Sequence, residues 1–567
     1  MSFRRLKRAI QALGSPEHSG TLALLQALII GLFAGGVTVL FRWTMGTIGT
    51  WRNAVGLHPL AWWQWLILPA IGFVGGAIAG HLTVHFAPEA KGSGIPQIKQ
   101  ALAYPVKPMR RRTIWVKFLG AAIAIGSGLS LGREGPTVQI GGGIGDWVSR
   151  WFPHSRHERR RLMAAGAGAG LAAAFNSPIA GLVFSVEELL KNFSTHTLST
   201  AILATVTASI VSRSLAGNLY SFHLPMTSFH LRELPFYLIL GLLGGGLGVL
   251  FIKGILGSLD CYQKIPRLPR AWHPAIAGAL TGMVGWWLPA AIGGGHDLAE
   301  LAFNAQILGW MIPIFLLVKF LLTLLAYGSG SPGGIFAPTL VMGAVLGAGV
   351  GQLSNLVTGE GNSAVASFAF VGMGALFTAV ARAPITAIII VFELTGNYDQ
   401  VLPLMLACVT ANLVAFGLKG VSIYDALLER EGVSLNEGTF HEEMETSSVE
   451  DVMTREAECL DVDETIAIAR QRFLETGHGG FPVCANGHLV GLVTRSDLVL
   501  AGEPDAKIKS VMSEPPITIT GETPLEIAWQ LLSDYEIGRL IVVDRDARTL
   551  PVGILTRSDL LKGTKRA

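Results

Sequence analysis

The residues of this chain with the clearest chemical potential are acids that stand within apolar sequence. Glu134 lies in GSGLSLGREGPTVQIGGGIG (residues 126–145), which has eight glycines, and Glu187 and Glu188 lie in PIAGLVFSVEELL (178–190). Burying a carboxylate inside a membrane costs free energy, so an acid in that position is by default a candidate for moving ions or protons. This interpretation requires that the surrounding elements span a membrane.

The composition supports that requirement. Half of the 567 residues are hydrophobic and only 15% are charged, against roughly a quarter in soluble proteins, and the mean hydropathy is +0.48. Apolar runs of bilayer-spanning length recur, with clear examples at 22–41, 65–82, 236–252 and 307–327. The basic N-terminus leads through a polar stretch into a run long enough to span, so we expect no cleavable signal peptide. The sequence predicts a polytopic membrane protein.

Three glycine- and proline-containing segments predict helices that begin inside the membrane. They are GSGIP (92–96), GREGP (132–136) and GGIFAP (333–338). The first amides of a helix have no intrahelical partner and carry partial positive charge, so such starts bind anions without a full cation. The alternative is that these are ordinary close-packing glycines of membrane helices, which is less favoured for three segments together.

The membrane part consists of two related halves. VKFL at 116–119 returns at 318–321, and GSG at 126–128 returns at 328–330, in both cases 202 positions later (328 − 126). The pairs that lie 206 positions apart (384 − 178) are Gly166/Gly372, Gly168/Gly374, Pro178/Pro384 and Glu187/Glu393. Internal repeats of this kind are typical of transporters that bind their substrate between the halves.

The repeat separates structural acids from functional ones. Glu187 aligns with Glu393, which indicates an acid that fixes structure in both halves, whereas Glu188 aligns with Leu394 and breaks the repeat. An acid present in only one half is the better functional candidate.

Glu134 also breaks the repeat, because it aligns with Phe336. The alternative for Glu134, a buried ion pair with Arg133, is disfavoured because neighbouring side chains on a helix do not face each other. Lys117 and its repeat mate Lys319 lie in apolar helices. They either bias a pathway toward anions, snorkel or form a structural pairing.

The sequence gives little support for a disulfide framework, a metal site, a dinucleotide-binding fold or an enzyme active site. The four cysteines show no CxxC spacing and no partner histidine, so we expect neither a disulfide framework nor a metal site. GSGSPG at 328–333 matches a nucleotide-binding pattern, but no βαβ unit surrounds it. No nucleophile–base set appears, so we expect no enzyme. Basic clusters at 4–8, 107–112 and 150–161 are interpreted as cytoplasmic loops, and we expect no nucleic-acid partner.

The C-terminal part is a different domain with its own repeat. After an acidic linker, DVMT at 451–454 recurs as SVMS at 510–513. GLVTRSDL at 491–498 likewise recurs as GILTRSDL at 553–560. Self-similarity at this spacing, with amphipathic stretches between β-type runs, predicts a pair of soluble α/β units.

Together these motifs resemble a known family. GSGIP, GREGP, GGIFAP and an Ile-Tyr at 423–424 resemble the CLC chloride channels and transporters, and residues 449–567 resemble a tandem pair of CBS domains. The resemblance implies a polytopic α-helical membrane domain of two inverted repeats, a homodimer with one anion pathway in each subunit, and cytoplasmic termini. The domains expected are an N-terminal segment (1–20), a membrane domain (21–428, with halves 21–215 and 230–428), an acidic linker (429–448) and two CBS domains (449–500 and 508–567).

The resemblance also assigns roles. Ser93 and Tyr424 look like the chloride-coordinating side chains, and the backbone amides of Ile335 and Phe336 complete that site. Glu134 resembles the external gating glutamate, which competes with the anion and carries a proton when it is displaced.

Glu188 stands where the family's exchangers have an internal proton-transfer glutamate. Ser93 matches the chloride-preferring members, whereas nitrate-preferring members carry proline there and the fluoride branch departs at both positions. The resemblance therefore favours chloride as the bound ion, with no cofactor required.

In the CBS pair, one set of residues resembles positions that contact an adenine nucleotide in other CBS modules: Thr494, Asp497, Thr556 and Asp559. The alternative is a dimerisation module that binds no nucleotide.

The leading hypothesis is a proton-coupled chloride exchanger regulated through its CBS domains, in the inner membrane of a prokaryote. A passive voltage- or pH-gated chloride channel is the alternative within transport. A sensor that uses the membrane part as an anchor is less favoured, because an anchor needs only one or two spans.

Overall fold

The chain divides into two compact units, Met1–Ser434 and Leu435–Ala567. The computed structural model describes residues 19–56, 64–103, 109–152, 156–191, 195–217, 230–265, 268–359, 361–418, 420–433, 447–455, 457–500, 503–535, 537–547, 549–557 and 559–560. Most of the expected N-terminal segment and of the acidic linker lies outside these residues. Each unit is described by itself.

The regular elements among the described residues of the first unit are all helices. The helices of its first half are α1 (Ser19–Gly56), α2 (Ile67–His81), α3 (Ile95–Ala103), α4 (Arg111–Gly126), α5 (Glu134–Ser149), α6 (Arg156–Phe175), α7 (Pro178–Phe184) and α8 (Thr195–Ala216). The helices of its second half are α9 (Leu234–Gln263), α10 (His273–Trp287), α11 (His296–Phe303), α12 (Ile312–Gly328), α13 (Phe336–Thr358), α14 (Asn362–Ala381), α15 (Pro384–Thr395), α16 (Val401–Gly417) and α17 (Ile423–Arg430).

Eight helices among the described residues are long and apolar enough to cross a membrane. Four of them overlap the apolar runs noted above, namely Leu22–Gly56, Ile67–Phe86, Leu231–Gln263 and Gly309–Gly328. Large apolar side chains such as Leu25, Leu242 and Leu413 are exposed on these helices, as expected for surfaces that face lipid. The prediction of a polytopic membrane domain is confirmed.

The internal repeat of the sequence is also a repeat of helices. Helices α5 and α13 begin 202 positions apart, at Glu134 and Phe336, and α7 and α15 begin 206 apart, at Pro178 and Pro384. The structure extends the repeat to pairs that the sequence comparison did not detect, including α2 with α10 and α3 with α11. The two-halves prediction is therefore confirmed and enlarged.

Glycine makes the close helix packing of each half possible. A Cβ at Gly141 on α5 would collide with the backbone carbonyl of Gly166 on α6, and one at Gly343 on α13 would collide with that of Gly372 on α14. The repeat relates Gly141 to Gly343 (343 − 141 = 202) and Gly166 to Gly372 (372 − 166 = 206), so the same close contact occurs in each half. Small residues let membrane helices approach closely, which is how helices associate where no hydrophobic effect drives them.

The prediction that Glu187 and Glu393 fix structure is confirmed. Glu187 accepts hydrogen bonds from the amides of Ile385 (3.1 Å) and Thr386 (2.7 Å), at the start of α15. Glu393, on α15 itself, accepts them in return from the amides of Ile179 (3.1 Å) and Ala180 (2.7 Å), at the start of α7. Each half thus supplies the carboxylate that satisfies the orphan amides of the other half.

Lys117 and Lys319 form a second matched pair and have a structural pairing. The Nζ atom of Lys117 donates to the carbonyls of Ala90 (3.0 Å) and Gly92 (2.6 Å). That of Lys319 donates to Ala291 (3.0 Å) and Gly293 (2.8 Å). Both side chains are fully buried, so neither snorkels to the membrane surface.

The second unit contains two small sheets. Its elements are α18 (Val449–Val452), β1 (Thr454–Arg455), β2 (Leu460–Asp461), α19 (Ile466–Thr476), β3 (Gly480–Ala485), β4 (His488–Thr494), α20 (Arg495–Leu500), β5 (Thr518–Thr520), α21 (Leu525–Asp534), β6 (Arg539–Val543) and β7 (Pro551–Thr556). The strand orders are β1-β7-β6-β5 and β2-β3-β4. The second unit is therefore α/β, as predicted.

The two VM motifs, DVMT at 451–454 and SVMS at 510–513, are exchanged between the repeats. Strand β1, from the first motif, pairs with β7 of the second repeat, and Val449 lies in the core of that repeat. In return Ser513, from the second motif, forms a bridge to Leu492 on β4, and Ile508 lies in the core of the first repeat. The sequence repeats and the packed sheets are therefore offset, because each sheet is completed by a segment of the other repeat.

The expectation that the cysteines form no disulfide is wrong for one pair. Cys459 and Cys484 are bonded, with their Cα atoms 5.9 Å apart. Cys459 directly precedes β2 and Cys484 lies in β3, and these strands are neighbours in one sheet. Their separation of 25 residues gave no signal in the sequence, because only strand pairing brings them together.

Candidate functional site

The three glycine-rich segments meet in the structure and are joined through their backbones. The carbonyl of Gly92 accepts from the amide of Gly333 at 2.9 Å. Gly132 and Gly334 exchange two hydrogen bonds of 2.6 and 2.7 Å. Segments that are 40 and 200 residues apart in the chain thus form one junction, and helices α3, α5 and α13 begin at it.

Glycine is required where the first segment turns. Gly92 and Gly94 have φ values of 63° and 95°, which side-chain-bearing residues rarely adopt. A side chain at Gly135 would also collide with the carbonyl oxygen of Ser93, 2.6 Å from the ideal Cβ position. The close-packing alternative for these glycines is therefore partly right. They do pack closely, and the packing is what brings the three helix starts together.

Ser93 is buried at the start of α3 and its hydroxyl accepts from the amide of Ile95 at 3.2 Å. The hydroxyl of Tyr327, at the end of α12, lies beside Gly92 and Ser93. Ile335 and Phe336 are buried at the start of α13, where first-turn amides have no intrahelical acceptor. Backbone amides and hydroxyl groups thus supply polar groups in an otherwise apolar interior.

Glu134 is fully buried at the start of α5. Its carboxylate lies over Gly132 and close to the backbone amide of Ala337, in the first turn of α13. Within the described part of the chain, neither carboxylate oxygen has a hydrogen bond of normal geometry. The carboxylate therefore lies at the start of a helix, where an anion is favoured, without a hydrogen bond of normal geometry to hold it there.

The ion pair between Arg133 and Glu134, which the helical spacing argued against, is present. The Arg133 Nε atom lies 3.6 Å from Glu134 Oε1. The spacing argument fails because Arg133 is the N-cap residue and stands outside the helix proper. At 3.6 Å this pair is longer than a hydrogen-bonded contact, so it attracts the carboxylate without fixing it.

Tyr424 is buried at the start of α17 and interacts electrostatically with both Glu134 and Glu188. Helix α17 packs against α3, which begins beside Ser93. The tyrosine is therefore within electrostatic reach of both acids.

Glu188 lies in a π-helical turn, Ser185–Leu190, that continues α7. Turns of this kind are rare and occur often at functional sites. The matched segment of the second half is α-helical, within Pro384–Thr395. Glu188 is buried, and its Oε1 atom accepts from Lys99 Nζ at 2.8 Å.

Lys99 and Asp425 belong to this site and were not identified from the sequence. Lys99 Nζ donates to Asp425 Oδ1 at 2.5 Å as well as to Glu188. The sequence did contain a signal for Lys99, because it is a charged residue four positions after the start of α3, one of the helices that begin at the junction. No sequence signal could pair Lys99 with Asp425, which lies 326 residues further along the chain.

In the second unit, Thr494 and Thr556 make the same contacts in the two repeats. The amide and hydroxyl of Thr494 donate to Asp497 Oδ2 at 2.8 and 2.7 Å. Those of Thr556 donate to Asp559 Oδ2 at 2.9 and 2.6 Å. The four predicted residues are therefore two local pairs, each at the end of a strand.

An arginine of one repeat reaches the other. The Arg539 guanidinium lies against Gly480, where any side chain would collide with it, and near Asp497. Burial lowers the pKa of Arg539, and the Asp497 carboxylate opposes that effect. A half-buried cation can bind a phosphate, and the neighbouring carboxylate can accept hydrogen bonds from sugar hydroxyls, so the two groups fit a phosphorylated sugar.

Comparison with known proteins gives consistent matches. The family model "Voltage gated chloride channel" matches residues 75–416, and the CBS domain model matches residues 449–503 and 508–565. The H(+)/Cl(-) exchange transporter ClcA of Cronobacter sakazakii is 36% identical over 439 residues, covering 76% of this chain and 93% of that protein. ClcA of Vibrio parahaemolyticus is 37% identical over 438 residues, with 75% and 93% covered.

Solved structures agree. A slow cyanobacterial Cl-/H+ antiporter superposes with a TM-score of 0.69 at 34% identity, covering 72% of this chain and 97% of that chain. A eukaryotic CLC transporter covers 95% of this chain and 97% of its own, with a TM-score of 0.66 at 22% identity, and so shows likeness of fold alone. The chain belongs to the voltage gated chloride channel (CLC) family and carries a C-terminal pair of CBS domains.

Proposed function

We propose that this protein exchanges chloride for protons across a membrane. The observation that carries the proposal is the position of Glu134, whose carboxylate lies at the start of α13, where an anion is favoured. The relatives named as H(+)/Cl(-) exchangers and the antiporter structure support it. Glu188 is a second buried acid, present in one half only, and gives protons a separate site.

In this mechanism, chloride and the Glu134 carboxylate compete for the same helix start. Ser93 and Tyr424, with the amides of Ile335 and Phe336, form the chloride site. The ionised Glu134 carboxylate is an anion and excludes chloride from the neighbouring helix start by like charge. When Glu134 takes up a proton it becomes neutral and leaves the helix start, and chloride then binds. Proton uptake and chloride binding are thereby linked.

Glu134 and Glu188 divide the proton's route. Glu134 exchanges protons with the external side and Glu188 with the internal side, and both acids act electrostatically on Tyr424. Because Lys99 holds Glu188 in place at 2.8 Å, the inner acid keeps its position while the outer acid moves.

The test is a reversal-potential measurement with the full-length protein in planar bilayers under opposed chloride and pH gradients. An exchanger gives a potential between the chloride and proton equilibrium values, and Glu188→Gln shifts it to the chloride value. A wild-type potential that follows chloride alone refutes the proposal. That result would instead support the alternative, a passive voltage- or pH-gated channel.

We also propose chloride as the preferred anion, from Ser93 at the second position of GSGIP. The test is the reversal potential after replacement of chloride by nitrate or fluoride. Ser93→Pro is expected to raise the relative permeability of nitrate. An unchanged ratio in that variant would remove Ser93 as the selectivity residue.

For the second unit we propose an adenine nucleotide as the regulatory ligand. The repeated Asp–Thr pairs and Arg539 fit a ribose and its phosphate. Titration of the full-length protein in detergent with AMP, ADP and ATP tests this, with Asp559→Ala as the site variant. The exposed Asp505 provides the control, Asp505→Ala. Absence of binding would leave the CBS pair as a dimerisation module.

We further propose a homodimer in the inner membrane of a bacterium, with both termini cytoplasmic. The bacterial ClcA relatives support the membrane, and the basic clusters at 4–8, 107–112 and 150–161 support the orientation. Mass photometry of the detergent-solubilised protein tests the dimer, and protease access to the C-terminus in inverted vesicles tests the orientation.

A further inference from the structure

We propose that Asp425 is the residue through which protons from solution reach Glu188. This inference rests on the exchange function proposed above, because a proton route exists only in a protein that moves protons. It assigns a residue that neither the internal repeat nor the motifs identified.

Three side chains form a row from the interior to the surface. Lys99 Nζ lies 2.8 Å from Glu188 Oε1 and 2.5 Å from Asp425 Oδ1. The side chains of Glu188 and Lys99 are only 6% and 3% exposed, whereas that of Asp425 is 30% exposed. Asp425 is therefore the member of the row that meets solvent.

The exposed end of the row lies where the chain leaves the first unit. Asp425 is in the first turn of α17, the last helix among the described residues of the first unit, and directly follows Tyr424. Helix α17 packs against α3, which carries Lys99. The surface residue of the row thus neighbours the chloride-site tyrosine, and Glu188 is its inner end.

Other groups near Glu188 do not offer the same route. Its neighbour Glu187 already accepts bonds from Ile385 and Thr386 with both oxygens. Lys191 and Tyr424 also act on Glu188 electrostatically. The first adds positive charge, and the second is a phenol that keeps its proton at neutral pH. Asp425 is the second carboxylate that shares a bonded partner with Glu188.

The proton passes from Asp425 to Glu188 through the ammonium group of Lys99, which ends the transfer in its original charge state. With both acids ionised, Lys99, Glu188 and Asp425 carry a net charge of −1, so uptake of one proton makes the group neutral. A proton from solution binds the Asp425 carboxylate. Lys99 then gives one of its protons to Glu188 and recovers one from Asp425, which leaves Glu188 protonated, Asp425 ionised and the ammonium restored.

The experiment measures chloride and proton fluxes of the full-length protein in liposomes. Asp425→Asn is expected to lower proton flux by about a hundredfold or more, the scale of a lost proton-transfer group, while chloride flux continues. Asp425→Glu should restore proton flux. Glu429→Gln, the same change at an exposed acid of the same helix, should leave both fluxes unchanged.

The outcomes separate this inference from the function on which it rests. Wild-type proton flux in Asp425→Asn would overturn the role of Asp425 alone. A proportional fall of both fluxes, with an unchanged ratio of protons to chloride, would also overturn it, because that is what a purely structural pairing with Lys99 produces. A wild-type protein that moves chloride without protons would refute the exchanger itself.

Discussion

At the scale of single residues, what distinguishes the acids of the membrane unit is the partner of each carboxylate. Glu187 and Glu393 have two backbone amides each, and Glu188 has an ammonium. Glu134 has a guanidinium at 3.6 Å and a nearby helix start. Acids bonded to backbone amides hold structure, and a weakly held acid is free to leave its position.

Glu134→Gln tests this distinction directly. Glutamine keeps the size of the side chain and removes both the charge and the exchangeable proton, so proton flux is expected to fall to background while chloride still passes. The measurement is paired chloride and proton flux in liposomes. Glu300→Gln, at an exposed acid on α11, is the control, and coupled proton movement in Glu134→Gln would contradict the gating role.

At the scale of elements, Lys117 and Lys319 show how the loops at helix starts are held. Each ammonium holds two carbonyls of a loop that leads into a short helix, α3 or α11. The two lysines make equivalent contacts, but only the loop that leads into α3 contains Ser93.

This difference predicts different consequences for the same change. Lys117→Met and Lys319→Met should each destabilise the protein by about 1–3 kcal/mol for each carbonyl left unpaired, measured by thermal unfolding in detergent. Only Lys117→Met should also lower chloride flux, because it releases the loop beside Ser93. Lys253→Met, at an exposed lysine on α9, is the control. Equal flux losses in the two variants would contradict this account.

The reciprocal caps predict a loss of stability in both variants, with the larger loss at Glu187, which also accepts from the Thr386 hydroxyl at 2.6 Å. Glu187→Ala and Glu393→Ala each leave two amides of the opposite half without a partner, and each should cost about 0.5–2 kcal/mol, as the loss of a helix cap does. Thermal unfolding measures the loss. Flux assays should show that Glu393→Ala keeps the wild-type ratio of protons to chloride, and a changed ratio there would show that Glu393 does more than cap a helix.

At the scale of the whole molecule, both units are built from repeats that exchange parts. In the membrane unit the exchanged parts are carboxylates, and in the second unit they are the VM segments. Because each half completes the other, neither half has a finished core or a full set of bonded amides by itself.

The exchange in the second unit predicts where a mutation acts. Val449→Ala removes two methyl groups from the core of the second repeat, and Ile508→Ala does the same kind of damage in the first. Hydrogen exchange of the full-length protein should therefore rise in Arg539–Val543 for Val449→Ala and in Gly480–Ala485 for Ile508→Ala. Faster exchange in the strands of each residue's own repeat would show that the segments are not exchanged.

The sequence by itself determined the membrane class, the two halves, the structural role of Glu187, and the candidate acids Glu134 and Glu188. It could do so because apolar length and internal repetition are local properties of the chain. The roles of Ser93, Tyr424 and the CBS residues came from resemblance and remain proposals.

Only the tertiary structure decided which groups meet. It joined the three glycine-rich segments through Gly92, Gly132 and their partners, and it brought Lys99 between Glu188 and Asp425. These contacts link residues up to 326 positions apart. Spacing along one helix or strand cannot reveal them, because they depend on how separate helices pack.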